Sequence, residues 1–254
     1  MVRISVVTVC FNGAKTIVDC LDSVASQEYG STDHVVIDGG SQDDTLAILE
    51  SWGRHPLSWR SEPDRGIYDA MNKGLRLATG DVVGFLNADD QFADRCALSS
   101  IAKAFGDPRI DACYGDLVYV RKDDVSHVVR YWRSGRVSRA AFSFGLMPAH
   151  PTFYVRRSVL ERCGLFDLSL PSANDFEFTA RYLVRRQLRA AYIPRVLVRM
   201  RLGGVSNSSL RNVFRQNFAI FTAMRKNRIT PSYLYPLGKA LVKAKQYLIK
   251  PKVT

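Results

Sequence analysis

Residues 62–90 read EPDRGIYDAMNKGLRLATGDVVGFLNADD. This stretch predicts a turn, a helix over 67–78, a break at Gly80 and a buried strand at Val82–Leu86. Acidic residues follow directly where that strand ends. Carboxylates crowded there repel one another unless a cation lies between them, and a divalent metal that holds a diphosphate is the leading explanation. We therefore expect an enzyme that acts on a nucleotide-activated substrate.

Strand and helix patterns also alternate on the N-terminal side of this stretch. Short apolar runs predict strands at Ile4–Val9 and His34–Asp38, and helical spacing of apolar residues follows each strand. A third strand is expected around Trp59. This alternation predicts an α/β fold with a doubly wound, mostly parallel sheet.

The pattern changes beyond about residue 110. Ala112–Val120 and His127–Trp132 are predicted to form paired β-segments around a polar turn. Helices are expected after the SANDFEF segment at 172–178, over Leu210–Phe221 and over Tyr233–Lys250. The second half is therefore expected to be less regular than the first.

The charge of the chain is divided unevenly along its 254 residues. Residues 1–110 carry a net charge of −6, residues 111–254 carry +18, and no acidic residue follows Glu177. A basic segment of this length is expected to meet an anionic partner, which can be a membrane surface, a diphosphate or nucleic acid. Five scattered cysteines without CxxC spacing favour a reducing cytoplasm over a zinc site or a disulfide framework.

Polar residues follow three of the predicted strands. They are Thr8 to Asn12 after the first strand, Asp38 after the second and Asn87 to Asp90 after the fourth. In an open α/β sheet, ligands bind outside the carboxyl ends of the strands. Such groups can read a base, accept from a ribose hydroxyl and hold a metal. Singly, each also has a structural explanation, because Asp38 can shape a turn and Asp89–Asp90 can cap a helix.

The pattern as a whole resembles the family 2 glycosyltransferases, which have the GT-A fold, and among them the bacterial enzymes of surface-polysaccharide synthesis. The resemblance rests on ISVVTVCFNGAKTIVDCLDSV, VVIDGGSQDDT, the 62–90 stretch and SANDFEF, which lie within residues 4–178. It implies a nucleotide-sugar-binding half over 1–110 and an acceptor-side half over 111–205. A basic helical extension over 206–254 completes the expected organisation.

The resemblance implies an inverting, metal-dependent sugar transfer from a nucleotide-diphosphate sugar, most commonly a UDP-sugar. The residues that it places around the donor nucleotide and its phosphates are Thr8, Val9, Asn12, Asp38, Asp64, Arg65, Asn72, Lys73 and Asn87. Among these, Asp38 is expected to contact the base. The acceptor is expected to be a glycan or a polyprenyl-diphosphate-linked sugar.

The metal motif of the family, Asp-x-Asp, falls on Asn87-Ala88-Asp89, where the first carboxylate is replaced by an amide. The resemblance therefore implies that Asp89 is the chief protein ligand to Mn²⁺ or Mg²⁺ and that Asn87 reaches the nucleotide. Metal affinity is expected to be modest.

An inverting transfer also needs a base that takes the proton of the acceptor hydroxyl. The resemblance assigns this role to Asp175, with Glu177 as the alternative because the register of the motif is ambiguous; helix capping is the structural explanation for Asp175. His150 is assigned to the nucleotide-sugar site, with a structural histidine as the alternative. Arg199, Arg201 and the GGVSNSS segment are expected to form a loop that closes over the diphosphate, or a solvated loop.

The lysine-rich tail has the composition of a helix that lies on an anionic membrane. This predicts a cytoplasmic enzyme held peripherally at the inner face of a bacterial plasma membrane, although packing of the helix or homo-oligomerisation would use the same residues. Two other classes of protein fit the sequence less well. A sugar-nucleotide pyrophosphorylase usually has a glycine-rich, basic nucleotide loop, whereas VTVCFNGAKTIV has one glycine. No nucleic-acid partner is expected, since the acidic N-terminal half opposes one.

Overall fold

The computed structural model describes residues 1–203, 210–248 and 251. Within that part of the chain, nine strands form one sheet: β1 (Ile4–Cys10), β2 (Thr32–Asp38), β3 (Ser58–Ser61), β4 (Val82–Phe85), β5 (Gln91–Phe92), β6 (Ala112–Val120), β7 (Val128–Trp132), β8 (Tyr154–Arg156) and β9 (Ala190–Arg201). The same residues form the helices α1 (Ile17–Ala25), α2 (Thr45–Ser51), α3 (Ile67–Leu77), α4 (Ala97–Ala104), α5 (Arg139–Ser143), α6 (Arg157–Cys163), α7 (Asn174–Ala180), α8 (Leu210–Lys226) and α9 (Tyr235–Leu248).

The first four strands in the sequence form the parallel part of the sheet. The strand order is β3-β2-β1-β4-β8-β6-β9-β5, and β7 pairs with β6 beside this path. β3, β2, β1 and β4 run parallel. Because the order reverses between β1 and β4, the carboxyl ends of these two strands border the crevice where open α/β sheets bind ligands.

The second half of the sheet is mixed. β8 lies between β4 and β6 and is antiparallel to both, whereas β6 and β9 are parallel to each other. β6 and β7 form the antiparallel pair that the sequence predicted. The parallel character is therefore confined to the N-terminal strands and to β6–β9.

Helices cover both faces of the parallel strands, which explains why β1 is apolar along almost its whole length. Val7 and Val9 belong to one core beside α3, whereas Ile4 and Val6 belong to a second core with α1 and α4. α3 lies so close to β1 that a Cβ added at Gly74 would be 2.3 Å from Val7 Cγ1. This packing fixes α3, and the loop before it, against the ends of β1 and β2.

The C-terminal helices pack onto the second half of the sheet. α8 contacts α7 in a third core that includes Phe176 and Met224, and α9 lies against β7. The helices expected over 210–221 and 233–250 are thus present, with α8 reaching Lys226. In the described segments, no helix combines the length and apolar composition needed to cross a bilayer.

Parts of two sequence predictions lie outside the described residues. They are positions 204–209 of the GGVSNSS loop and Lys250 of the tail. The division at 110 and 205 remains a prediction, since one continuous sheet runs through both of the first two parts.

Candidate active site

The loops after β1 and β2 are joined at the carboxyl edge of the sheet. Asn12, with a φ of 52°, donates its backbone N–H to Ser41 Oγ at 2.7 Å. Its Oδ1 accepts from the backbone N–H of Gln42 at 2.9 Å. Asparagine tolerates this left-handed backbone better than most residues. Asn12 is exposed and therefore stays at the mouth of the crevice, where the sequence placed it.

Asp38 lies beneath this edge and is completely buried. Its Oδ2 accepts from the N–H groups of Gly40 and Ser41 at 2.9 and 2.8 Å and from Ser61 Oγ at 2.7 Å, and its Oδ1 accepts from Ser41 Oγ and Cys10 Sγ. Burial alone would raise the pKa of Asp38, but the hydrogen bonds from Ser41 and Ser61 outweigh it and hold that pKa below its ordinary value. The Asp38 carboxylate therefore holds the loops together in this structure, and its expected contact with the base stays a prediction.

A second carboxylate, that of Asp64, lies in the crevice. A Cβ built on Gly39 would be 2.5 Å from Asp64 Oδ2 and 3.4 Å from the ring of Phe11. Asp64 Oδ1 accepts from the N–H of Gly66 at 2.7 Å, and the Phe11 side chain is 63% exposed. The carboxylate of Asp64 and the exposed ring of Phe11 thus lie close together beside Gly39, which has no side chain. That combination can stack a base and accept from its N–H groups.

The loop that carries Asp64 is held from below by Lys73. Lys73 Nζ lies 3.0 Å from Glu62 Oε1 and donates to the backbone carbonyl of Pro63 at 2.7 Å. Lys73 therefore fixes the loop in this structure, and its expected place near the nucleotide or its phosphates stays a prediction. Arg65 is different, since its side chain is 80% exposed beside the mouth of the crevice.

Thr8 and Val9 lie deeper in β1 than the sequence suggested. Thr8 has no exposed surface, and its hydroxyl lies 3.0 Å from His34 Nε2 and 3.8 Å from Cys20 Sγ. Val9 packs in the core beside α3. Because strand alternation directs both side chains into the two cores, neither lines an open pocket.

Asn72 is also used internally. Its Nδ2 donates to the carbonyl of Phe166 at 3.0 Å, and its Oδ1 accepts from the N–H of Phe166 at 2.9 Å. Both halves of the amide are thereby hydrogen-bonded and buried, and the expected place of Asn72 near the nucleotide stays a prediction. Asn72 fixes Phe166, whose ring packs edge-on against His150 with centroids 5.6 Å apart.

His150 lies in an aromatic pocket between Phe166 and Phe85, whose ring stacks on the imidazole at 5.3 Å. Its Nε2 is buried and has no hydrogen-bond partner in the described part of the chain. Burial lowers the pKa of His150, and the charge of Asp175 opposes that change. The imidazole is consequently held neutral beside the acceptor half of the site.

The predicted metal motif forms a tight turn after β4. Asp90 is fully buried, where its side chain accepts from Asn87 Nδ2 and from the N–H of Arg201, both at 3.3 Å. Arg201 also donates to the carbonyl of Asp89 at 3.1 Å and pairs with Asp19 at 2.5 Å. Arg201 therefore fixes the motif against α1, which corrects the expectation that its side chain closes over the diphosphate.

Two oxygen groups of this turn fit a metal. Asn87 Oδ1 is buried without a hydrogen-bond partner, and the partly exposed carboxylate of Asp89 lies two residues on. Burial raises the pKa of Asp89, so a nearby cation would be stabilising. Within residues 1–203, 210–248 and 251, no three His, Cys, Asp or Glu side chains form a metal cluster. A hard cation here would accordingly need waters and substrate phosphates to complete its coordination.

The two carboxylates of the acidic segment at α7, Asp175 and Glu177, have different surroundings. Glu177 is buried, pairs with Arg181 at 3.0 Å and accepts from Asn227 at 3.3 Å. Asp175 is partly exposed and lies beside the hydroxyl of Tyr68, whose pKa is raised by burial and by the Asp175 charge. Asp175 Oδ1 accepts from the backbone N–H of Phe176 in the first turn of α7 at 2.8 Å, which is a capping contact, but the residue stays partly exposed whereas Glu177 is buried in an ion pair. Of the two candidates for the base, Asp175 is therefore the available one.

Sequence reasoning missed several residues of this site. Sequence patterns assigned no role to Phe11 or Tyr68, and they placed Arg201 in the loop with GGVSNSS and not beneath the metal turn. The aromatic residue immediately before Asn12 was the one usable signal, because an exposed ring at a strand end is unusual. The remaining contacts join residues far apart in the chain.

Comparison with known proteins finds a matching family and similar sequences. The sequence profile of Glycosyl transferase family 2 matches residues 5–164. A PGL/p-HBAD biosynthesis glycosyltransferase of Mycobacterium bovis is 29% identical over 225 residues, which cover 87% of this chain and 85% of that protein. An uncharacterised glycosyltransferase of Mycobacterium tuberculosis is 44% identical over 91 residues, 35% of each chain.

Solved structures share the fold at lower identity. Staphylococcus aureus TarS 1–349 in complex with UDP-GlcNAc has a TM-score of 0.68 and 18% identity, covering 94% of this chain and 70% of that one. The mannosyltransferase PcManGT of Pyrobaculum calidifontis, in complex with GDP-Man and Mn²⁺, has a TM-score of 0.63 and 21% identity, covering 98% and 81%. These likenesses confirm the predicted α/β, GT-A-like fold class.

Proposed function

The chain belongs to glycosyl transferase family 2, and on that premise we propose that it is an inverting, metal-dependent transferase that uses a UDP-sugar. The observation that carries the donor half is the convergence of Phe11, Gly39 and Asp64 beside the Asn87–Asp89 turn. The base stacks on Phe11, and Asp64 accepts from its N–H group. A pyrimidine suits this site because it presents a single ring and a ring N–H to that carboxylate.

The turn after β4 is the proposed diphosphate end of the donor site. Asp89 and Asn87 Oδ1 would hold Mn²⁺ or Mg²⁺, which when bound supplies neutralising charge at the diphosphate leaving group. Arg201 and Asp90 keep the two oxygens in place from beneath. PcManGT, whose complex contains GDP-Man and Mn²⁺, lends support to the metal, and TarS with UDP-GlcNAc lends support to the nucleotide.

Asp175 is the proposed base for the acceptor hydroxyl. It lies on the acceptor side, beside Tyr68 and near the neutral His150. Glu177 holds α7 in place through Arg181 and Asn227. Direct displacement with inversion requires a carboxylate that can take the proton of the acceptor hydroxyl, and the partly exposed Asp175 can supply it. His150, which the sequence assigned to the donor, is proposed instead to shape the pocket wall beside Asp175.

The acceptor is proposed to be a glycan or a polyprenyl-diphosphate-linked sugar, presented at the inner face of a bacterial plasma membrane. The C-terminal helices support this: Phe218, Leu241 and Leu248 are 72%, 62% and 83% exposed. Lysines and arginines alternate with them, and no acidic residue follows Glu177. Exposed apolar side chains among cations are typical of peripheral binding to anionic lipid. In this scheme residues 1–110 bind the donor, 111–205 the acceptor and 206–254 the membrane.

A panel of UDP-, GDP- and dTDP-sugars tests the function. Each is incubated with Mn²⁺, with Mg²⁺ and with EDTA, and both hydrolysis and thermal stabilisation are measured. We expect metal-dependent hydrolysis of at least one UDP-sugar and stabilisation by UDP. Failure of every nucleotide to stabilise or react would overturn the proposed function, and a strict preference for GDP would overturn its pyrimidine part.

A further inference from the structure

A basic and aromatic cluster lies where β7 pairs with β6 beside the main path of the sheet. Arg130 of β7 is paired with Tyr119 of β6, and its guanidinium carbon lies 3.7 Å from the centroid of the Tyr119 ring. The ring of Tyr247 on α9 lies 5.9 Å away on its other flank. Trp132 stacks almost parallel to Tyr119, with centroids 6.5 Å apart and an interplanar angle of 8°. Arg130 thus joins the sheet to the C-terminal helix.

Arg130 differs from the other half-buried arginines. No Asp or Glu lies within ion-pair distance of it in the described segments, and its Nε is buried without a hydrogen-bond partner. By contrast, Arg181 and Arg195 pair with carboxylates, and Arg156 donates to backbone carbonyls. Arg130 is half-buried, and its guanidinium is stabilised by the faces of Tyr119 and Tyr247 in place of a carboxylate. Its charge is therefore not neutralised by an acidic side chain, and it keeps N–H donors that an anion can accept from.

The charges of acidic residues near the proposed catalytic groups act on this cluster. Burial raises the pKa of Tyr119, the Arg130 charge opposes that rise, and the charges of Asp90 and Asp175 add to it. Both acidic groups thus contribute to the electrostatic field at Tyr119. In addition, Val120 at the end of β6 pairs with Arg201 of β9, which holds the metal turn.

We propose that Arg130 binds the phosphate of an isoprenoid-phosphate-linked acceptor, and this inference rests on the proposed function. A guanidinium offers two parallel N–H donors that match the oxygens of phosphate. Tyr119, Trp132 and Tyr247 provide apolar faces for the first isoprene unit, and the exposed apolar side chains of α9 continue in the direction of the lipid. The acceptor sugar would then lie on the Asp175 side of Tyr119.

A binding experiment that does not depend on catalysis tests this site. Farnesyl phosphate, farnesol and phosphatidylglycerol vesicles are each titrated into the wild-type chain and into Arg130→Gln, Arg130→Lys and Arg121→Gln. Arg121 is an exposed arginine on the same hairpin and serves as the matched control. Thermal unfolding and hydrolysis of the UDP-sugar found in the panel confirm that each variant is folded and that its donor site is intact.

The expected result is about a tenfold or greater loss of farnesyl phosphate affinity in Arg130→Gln, with a smaller loss in Arg130→Lys, which keeps the charge but not the paired donors. Farnesol and vesicle binding should stay unchanged, as should donor hydrolysis. Equal affinity of wild type and Arg130→Gln for farnesyl phosphate would overturn the proposal, as would an equal loss in Arg121→Gln. A loss confined to vesicles would assign Arg130 to a lipid headgroup and would also overturn it. Absent hydrolysis in the wild type would count against the function alone.

Discussion

The carboxylate of Asp64 lies directly over Gly39, so that a Cβ at position 39 would be only 2.5 Å from Asp64 Oδ2. A carboxylate on residue 39 and the carboxylate of Asp64 would therefore compete for one place in the crevice. The chain supplies that carboxylate from the loop before α3, while the neighbouring Asp38 is buried in hydrogen bonds.

This relationship predicts how UDP binding changes when the carboxylate is moved from position 64 to position 39. Asp64→Ala should weaken UDP binding by about tenfold or more, since a buried charge-assisted hydrogen bond is worth roughly 1.5–3 kcal/mol. Gly39→Asp alone should also lose binding because it clashes with Asp64. The double variant Gly39→Asp with Asp64→Gly should recover part of the affinity. Calorimetric titration of UDP measures all three, and a double variant that binds no better than either single one would refute the shared position.

Replacing Asp38 should lower the stability of the fold. Asp38→Ala leaves the N–H groups of Gly40 and Ser41 and the Ser61 hydroxyl without their acceptor, which should cost about 2–4 kcal/mol of unfolding free energy. Urea unfolding measures this. A variant with unchanged stability and abolished UDP binding would support a base-contacting role instead.

The Asp38 carboxylate also makes the stability of the fold depend on pH. Its pKa in the folded chain is below its ordinary value, so its ionised form stabilises the fold at pH above the unfolded pKa, and that contribution disappears as the pH falls through the folded pKa. The stability difference between wild type and Asp38→Asn should therefore be full near neutrality and should shrink only under acidic conditions, below about pH 4. Urea unfolding of both proteins across this range measures the difference, and one that stayed constant to pH 2 would contradict the assignment.

Asp175 and Glu177 should differ sharply when each is replaced by its amide. Asp175→Asn should lower kcat for transfer by about 10²–10⁴-fold with UDP affinity and Tm preserved, since it removes only the proton acceptor. Glu177→Gln should instead lower stability by about 1.5–3 kcal/mol, because the buried Arg181 loses its anionic partner and keeps only the backbone carbonyls of residues 163–165. Transfer rates and Tm values for the pair decide between them, and the reverse pattern would move the base to Glu177.

The C-terminal helix should bind anionic membranes through exposed side chains alone. Leu241→Glu with Leu248→Glu should reduce sedimentation with phosphatidylglycerol vesicles while leaving donor hydrolysis intact, because neither side chain is in a core. Leu77→Glu, at a half-exposed leucine on α3, is the matched control. Unchanged vesicle binding, or a change in oligomeric state in its place, would contradict the membrane role.

The fold could be predicted from the sequence because its signals are local. Buried strands such as Ile4–Cys10 and Val82–Phe85 are apolar runs bounded by polar residues. The helical spacing of its apolar residues predicts α3. The apolar, strand-like run between His150 and Arg156 indicates β8, but its place between β4 and β6 could not be predicted, since it depends on pairing with strands far away in the sequence.

The site was predictable in its position but not in its individual contacts. The carboxyl ends of β1, β2 and β4 must meet in this topology, which fixes the neighbourhood of Asn12, Asp38 and Asp89. Whether a given carboxylate is free depends on partners far away in the chain: Ser61 satisfies Asp38, and Arg201 braces the metal turn across 112 residues. Local sequence does not contain that information.

The most direct test of the central claim is a calorimetric titration of UDP into the wild-type chain and into Asp89→Ala, each with Mn²⁺ and with EDTA. The proposed function predicts that Mn²⁺ strengthens UDP binding to the wild type by about tenfold or more, and that this gain disappears in Asp89→Ala while metal-free UDP binding is retained. Equal enhancement by Mn²⁺ in both proteins, or no UDP binding to either, would contradict it.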